Sequence, residues 1–169
     1  MEFDLDNQYK DTVDRIIDLL QATFSKRFAA YYESDPIQIP TVNLPCVIVE
    51  KSIGNATIKG APTGHDSTES DIIVKIVFNK KDDYGANDDV DLTGRKLRYI
   101  VEARDKDTGA WKEGTIVHTL RKHLTLSQEV FENDITWEYG IQPREDSVLT
   151  AEAHVLIKTR GVVEVIGRD

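Results

Sequence analysis

Ten consecutive residues, Asp71 to Lys80, constrain this chain more than any others. Ile72, Val74, Ile76 and Phe78 alternate with Ile73, Lys75, Val77 and Asn79, so apolar side chains fall on both sides of a two-residue period. A strand of that kind is central in its sheet or covered on both faces. The fold must therefore be layered around a sheet. The remaining segments supply the layers in a definite order: an amphipathic helix, two strands separated by a long polar stretch, two short helices, and two further strands.

The leading helix is predicted from Asn7 to about Glu33. Val13, Ile16, Ile17, Leu20, Phe24, Phe28 and Tyr31 recur at steps of three and four and mark one apolar stripe. Acidic residues lie early and basic residues late, which suits the helix dipole, and Ser34-Asp35-Pro36 ends the run. Its polar face is not basic, so it reads as a helix packed across a sheet and not as a membrane-surface helix. Ile37 to Asn43 is expected to be extended, because Pro36, Pro40 and Pro45 disfavour a helix.

Cys46 to Lys51, rich in β-branched residues, is the first strand. The polar, Gly-rich stretch that follows, Ser52 to Ser70, is expected to be a long loop, with Thr57-Ile58-Lys59 its one candidate for a short strand. A second polar loop is expected at Lys80 to Asp89. Loops of such length usually serve a function or order on contact with a partner.

Asp91 to about Arg104 is predicted as a helix with Val90, Leu97, Ile100 and Val101 in its stripe and Thr93 or Asp91 as cap. Asp105-Lys106-Asp107-Thr108-Gly109 reads as a turn, and Trp111 as the anchor of this connection. A third helix is expected from Gly114 to about Leu124. Ile135, Trp137, Tyr139 and Ile141 then alternate with Thr136, Glu138, Gly140 and Gln142, the period of a half-buried strand. After a turn at Pro143 to Ser147, Val148 to Thr159 returns as a strand. It places Ala151, Ala153, Val155 and Ile157 on one face and Glu152, His154, Leu156 and Lys158 on the other. Gly161 is read as a bulge before Val162 to Ile166. The whole, residues 1–169, is expected to form a single α+β domain, with a mixed or antiparallel sheet and the helices packed on it.

Reactive groupings do not emerge. Cys46 lies in an apolar run with no adjacent base and reads as a structural thiol in a chain that needs no oxidising compartment. His118 and His123 are five apart, off the four-residue step of a zinc-binding helix face, and His65 and His154 have no ligand spacing either. The carboxylates of the Lys80 to Asp89 loop lack the calcium-loop register. Asp71 and Lys75 share a strand, but their spacing is wrong for a carboxylate–lysine nuclease site.

Net charge of −9 disfavours a broad phosphate-binding face. The short basic patches Arg95-Lys96-Leu97-Arg98 and Arg121-Lys122 sit beside acids and read as solvated or subunit-interface surface. Met1 to Asp6 is acidic and has no apolar core of the kind a secretion signal needs. No apolar run approaches the roughly 20 residues required to span a bilayer. The reading is of a protein that is not an enzyme, with no catalytic, cofactor-binding or metal-binding residues and no membrane association.

In order and texture the chain resembles the lambda-type bacteriophage tail-terminator (tail-completion) proteins. The likeness runs from Thr12-Val13-Asp14-Arg15-Ile16-Ile17 through Leu44-Pro45-Cys46-Val47-Ile48-Val49-Glu50 and Leu97-Arg98-Tyr99-Ile100-Val101-Glu102-Ala103-Arg104 to Val155-Leu156-Ile157-Lys158-Thr159. The resemblance implies a virion protein of the tail and neck, made in the host cytoplasm. It implies a hexameric ring that caps the tail tube, ends its polymerisation and offers the joining surface to the head–tail connector or stopper. DNA would pass through the channel without specific binding, eased by the acidic wall. The loops at 52–70 and 80–89 would make the subunit, tube or connector contacts. Another neck component, a stopper or adaptor, stands beside this reading. So do, from other classes, a small metal-dependent hydrolase or nuclease and a monomeric ligand-binding module.

Overall fold

The computed structural model describes residues 3, 4, 8–81, 92–123, 125, 126 and 129–167, with 125, 126 and 129–133 described by backbone. Its centre is a six-stranded mixed sheet in the order β1-β2-β3-β6-β5-β4. The strands are β1 (Ala30–Tyr32), β2 (Cys46–Thr57), β3 (His65–Asn79), β4 (Thr125–Leu126), β5 (Glu129–Pro143) and β6 (Leu149–Glu164). Only β1 and β2 run parallel; every other neighbouring pair is antiparallel. Three helices, α1 (Thr12–Phe24), α2 (Leu92–Glu102) and α3 (Ile116–Lys122), accompany it. The α+β architecture expected from the sequence is present.

β3 is central, as its two-sided apolar pattern requires. All of its residues from His65 to Asn79 pair with Glu164 to Thr150 of β6. On the helix-bearing face Val47, Val49, Ile72, Val74, Ile76, Val155 and Ile157 pack against Val13, Ile16, Leu20 and Phe24 of α1, together with Leu97, Val101, Ile116 and Leu120 of α2 and α3. Burial of a Leu or Ile side chain is worth about 1.5–3 kcal/mol, so this layer supplies most of the cohesion.

α1 is shorter than the periodicity predicts. Asp11 caps it, its carboxylate accepting from the Asp14 amide at 3.1 Å while the Asp14 carboxylate accepts from the Asp11 amide at 3.1 Å. The helix stops at Phe24, where Ser25 takes a positive φ of 47° and a 3₁₀ turn follows over Ser25–Arg27. Phe28 and Tyr31 fit the helical spacing for another reason. They stack edge-on, Phe28 against Phe24 at 5.4 Å and Tyr31 against Phe28 at 6.0 Å, as the chain turns back into β1. The helix expected from Asn7 to Glu33 is therefore corrected to Thr12–Phe24 plus a parallel strand (residue 7 lies outside the described residues).

The loop expected at 52–70 is also corrected. β2 continues to Thr57 and β3 begins at His65, so most of that stretch is a hairpin ladder pairing Ile53 to Thr57 with Asp71 to Ser67. Only residues 58–64 connect the strands. The candidate strand Thr57-Ile58-Lys59 contributes Thr57 alone, at the end of β2. Of the loop at 80–89, residues 82–89 lie outside the described residues. Gly161 pairs in register with Thr68 and Val162 with Ser67, so β6 passes through without the expected bulge.

Ile37 to Asn43, expected to be extended, is corrected: Ile37 takes a φ of +64°, and Thr41–Asn43 close a 3₁₀ turn in which the Asn43 amide donates to the Pro40 carbonyl at 2.9 Å. The second and third helices form with shifted bounds. Thr93 lies buried inside α2 and is not its cap, and Asp91 and Val90 lie outside the described residues. Thr115 caps α3, its hydroxyl accepting from the His118 amide at 3.3 Å, while Leu124 lies outside the described residues. The Asp105 carboxylate closes the predicted turn by accepting from the Asp107 and Thr108 amides at 3.0 and 2.9 Å, and Gly109 supplies the φ of +70°. Trp111 packs edge-on to Trp137 at 6.1 Å, with the Arg104 guanidinium 5.2 Å from its ring, and so anchors this connection.

Candidate functional site

The second face of the sheet is only partly covered. Residues 33–45 cross it, seating Ile39 against Cys46, Ile48 and Val77 in a small second core, with a 3₁₀ turn at Thr41–Asn43. Beside that core, strand alternation brings charged residues onto the same face. Glu50 comes from β2, Lys75 from β3, and Glu152 and His154 from β6, while Asp35 arrives from the crossing segment and Arg144 from the turn after β5.

These groups form one chain of contacts. Arg144 donates from Nη1 to Asp35 Oδ1 at 2.7 Å and from Nε to Glu152 Oε1 at 2.7 Å. Lys75 Nζ reaches Asp35 at 2.9 Å and Glu50 at 2.7 Å. Thr150 donates its hydroxyl to Glu152 Oε1 at 2.6 Å, and His154 Nε2 lies 2.8 Å from Glu152 Oε2. Glu152 is 2% exposed and Arg144 8%. Burial of this depth favours neutral carboxyls, but charged hydrogen bonds dominate. For Glu152 burial pushes the carboxyl up, yet the bonds from His154, Arg144 and Thr150 bring it down to about 2. For Asp35 burial likewise opposes ionisation, and bonds from Arg144 and Lys75 hold it well below the usual carboxylate range. Burial lowers Lys75, and its two carboxylate partners more than offset this and raise it.

This cluster borders a cleft of about 290 Å³. Its cations are all engaged by carboxylates and Glu152 is saturated with donors, so the arrangement binds chain to chain: it ties the segment after β1 to β3 and β6. Cys46 lies beneath it, fully buried, with its thiol pushed up by burial to about 12. It therefore stays protonated and behaves as the structural thiol expected.

The residues singled out in the sequence do not converge. Lys75 points to Asp35 and Glu50, and Asp71 lies four residues back along β3, opposite Lys158. His65 opens β3, His118 sits on α3, His123 ends it, and His154 alone joins the cluster. The alternation sets His154 on the face opposite Ala153 and Val155, and there it is half-buried beside Glu152. Arg95, Lys96 and Arg98 are exposed on α2, as is Lys122 on α3. In the sequence Asp35, Arg144 and Glu152 read only as residues of a helix end, a turn and a strand. The available signal was Glu152 itself, a carboxylate between Ala151 and Ala153 in a strand whose other side is core.

A second surface lies at the far end of the sheet. Beyond the helices β2, β3 and β6 continue as a three-stranded tongue in which residues 51–56 of β2 are all exposed. Ile53, Ile58, Val162, Val163 and Ile166 stand 43–91% exposed there. At the sheet's opposite edge Glu102 Oε2 accepts from the Tyr139 hydroxyl at 2.8 Å and from the Trp137 indole N–H, pinning these two side chains of β5.

An open mixed sheet with helices on one face and an ion-paired tie on the other makes this an α+β protein by structure. No family model matches the chain, and no curated protein matches it. Among the described residues no helix is long and apolar enough to cross a membrane.

Proposed function

We propose that the chain is a structural component of a bacteriophage virion, a ring-forming tail terminator that caps the tail tube, ends its polymerisation and forms the joining surface to the head connector. The observation that carries this reading is the tongue of β2, β3 and β6. It extends past the helices with no core of its own and presents Ile53, Ile58, Val162, Val163 and Ile166 to solvent. Ile53, Val162 and Val163 are carried on both faces and along the edge of the projecting ladder, where a partner that wraps it would cover them, and the strand pairing holds them in one orientation.

Two further features support the reading. The ion-paired cluster around Glu152 locks the segment after β1 onto the sheet, giving a stiff body suited to assembly. The net charge of −9 lets DNA pass through a channel without adhering. The mechanism is geometric: head-to-tail contacts close into a ring when the rotation per subunit completes a circle, and the closed ring covers the growing end of the tube.

The test adds the purified chain to polymerising tail-tube protein and images the products by negative stain. Six-fold rings at tube ends, with tubes of arrested length, are expected. A chain that stays monomeric at micromolar concentration with tube protein present, and leaves tube length unchanged, would sink the reading.

A further inference from the structure

The sheet has two free edges on opposite sides. β1 covers only Cys46–Ile48 of β2, so among the described residues the outer edge of 51–57 has no backbone partner. β4 covers only Glu129 and Val130 of β5, which leaves the outer edge of 134–143 in the same condition. Long unpaired edges template pairing with another chain unless something blunts them. From these edges we infer that copies of this chain join head to tail by strand addition, β5 of one copy pairing with the distal half of β2 of the next. The inference rests on the ring reading above and names its intersubunit contact.

Strand polarity favours this joint. β2 is antiparallel to β3, β3 to β6, and β6 to β5, so β2 and β5 run in opposite directions. Within one copy Ile135 is level with Lys51 and Tyr139 with Val47. A second copy in the same orientation, displaced along the strands so that 134–143 come level with 51–57, therefore meets the first with antiparallel edges, which can form a regular ladder.

Charge and size select the same pairing. Residues 51–59 carry Lys51 and Lys59 with no acid, whereas residues 134–143 carry Asp134 and Glu138 with no base. Joining unlike edges sets a net-basic edge beside a net-acidic one, whereas β5 against β5 or β2 against β2 sets like edges together; the preference is one of net charge along the edge, because Lys51 and Glu138 lie on opposite faces of the sheet. On the helix-bearing side β5 projects Tyr139 and Ile141, 39% and 56% exposed. The same side of distal β2 bears Gly54 and Ala56. These small residues, with Tyr9, Arg15 and Lys51, line a cleft of about 400 Å³ between β2 and the start of α1. Side chains of a strand laid beside β2 stand within about 5 Å of its own, so Ile141 of the incoming copy enters that cleft, while Tyr139 stays held by Glu102 of its own chain. The Lys51 stem, already lying over Gly54, would close on Ile141.

Two variants of the full chain test this, Ile141→Asp on one edge and Ala56→Glu on the other, both at exposed positions. By sedimentation velocity, each alone is expected to lose assembly, and an equimolar mixture to give one-to-one pairs and nothing larger, since one good edge of each remains. If the Ala56 variant still self-associates while the Ile141 variant does not, the joint is β5 to β5 and the inference fails. If both variants still form rings, the edge pairing fails and the ring reading survives. A wild-type chain that is monomeric even with tube protein removes both. Hydrogen exchange on the wild type decides the matter should a variant not fold. Amides in 53–57 and 137–141 must slow on assembly, and unchanged exchange there overturns the joint.

Discussion

Replacing Glu152 by glutamine removes one charge from the centre of the buried cluster while keeping the side chain's shape. Arg144 then retains only Asp35 as a charged partner, and His154 loses its carboxylate. The magnitude follows from the carboxyl's own titration. Glu152 sits at about 2 in the folded chain, whereas an unfolded glutamate titrates near 4.3, and the difference is worth roughly 3 kcal/mol at neutral pH. At 2% exposure there is little solvent to screen it. That figure meets the low end of the 3–5 kcal/mol typical of breaking a buried pair. The sign is that of a depressed carboxylate. The stabilisation is complete above the unfolded value, about half gone near pH 3, and lost as pH falls through about 2. Urea unfolding followed by tryptophan fluorescence, on wild type and Glu152→Gln from pH 7 to pH 2.5, measures the gap. It is expected to shrink from roughly 3 kcal/mol at pH 7 to about 1 kcal/mol at the acid end. A gap below about 1 kcal/mol at pH 7, or one that does not change with pH, refutes the assignment of Glu152 as the paired anion of this cluster.

Three other outcomes follow from the geometry. Tyr139 is raised by burial and then by its bond to Glu102, and Tyr31 by burial alone, so in an alkaline absorbance titration two of the six tyrosines should ionise late, and Glu102→Gln should bring one of them down; an unchanged titration contradicts the contact. Cys46, buried with its thiol at about 12, should not react with an aromatic disulfide reagent in native buffer and should react fully in denaturant. Asp11→Ala removes the α1 cap and should cost about 1 kcal/mol in thermal or urea unfolding; no change would mean the first turn of α1 adds nothing to stability.

Where burial drives structure, the residues announce it. The strand at 71–80 and the apolar stripe from Val13 to Phe24 bury repeating sets of side chains and form the expected elements; the alternation of 135–141 also forms its strand, with Ile135 buried, Trp137 half-buried and Tyr139 and Ile141 exposed. Where structure is driven by backbone pairing, composition is silent. Ser52 to Thr57 is polar and contains Gly54, yet it is strand because β3 offers a ladder that satisfies its amides and carbonyls. β1 failed for a related reason: Phe28 and Tyr31 carry helical spacing, but they serve an aromatic stack at a chain reversal.

The charged cluster was hidden more deeply. Asp35 and Arg144 are 109 positions apart, and nothing local distinguishes an aspartate before Pro36 or an arginine in a turn from any solvated charge. Their pairing exists only because the crossing segment and the turn after β5 reach the same face of β3 and β6. By itself the sequence determined which side chains must leave water, and hence the helices, the central strand and the layered class, because hydrophobic periodicity is a local property. Strand order, the extent of the β2–β3–β6 tongue, the partners of Glu152 and the two unpaired edges were decided by the tertiary structure. Each depends on which backbone groups and charges meet across long stretches of chain, where hydrogen-bond satisfaction and desolvation choose the partner.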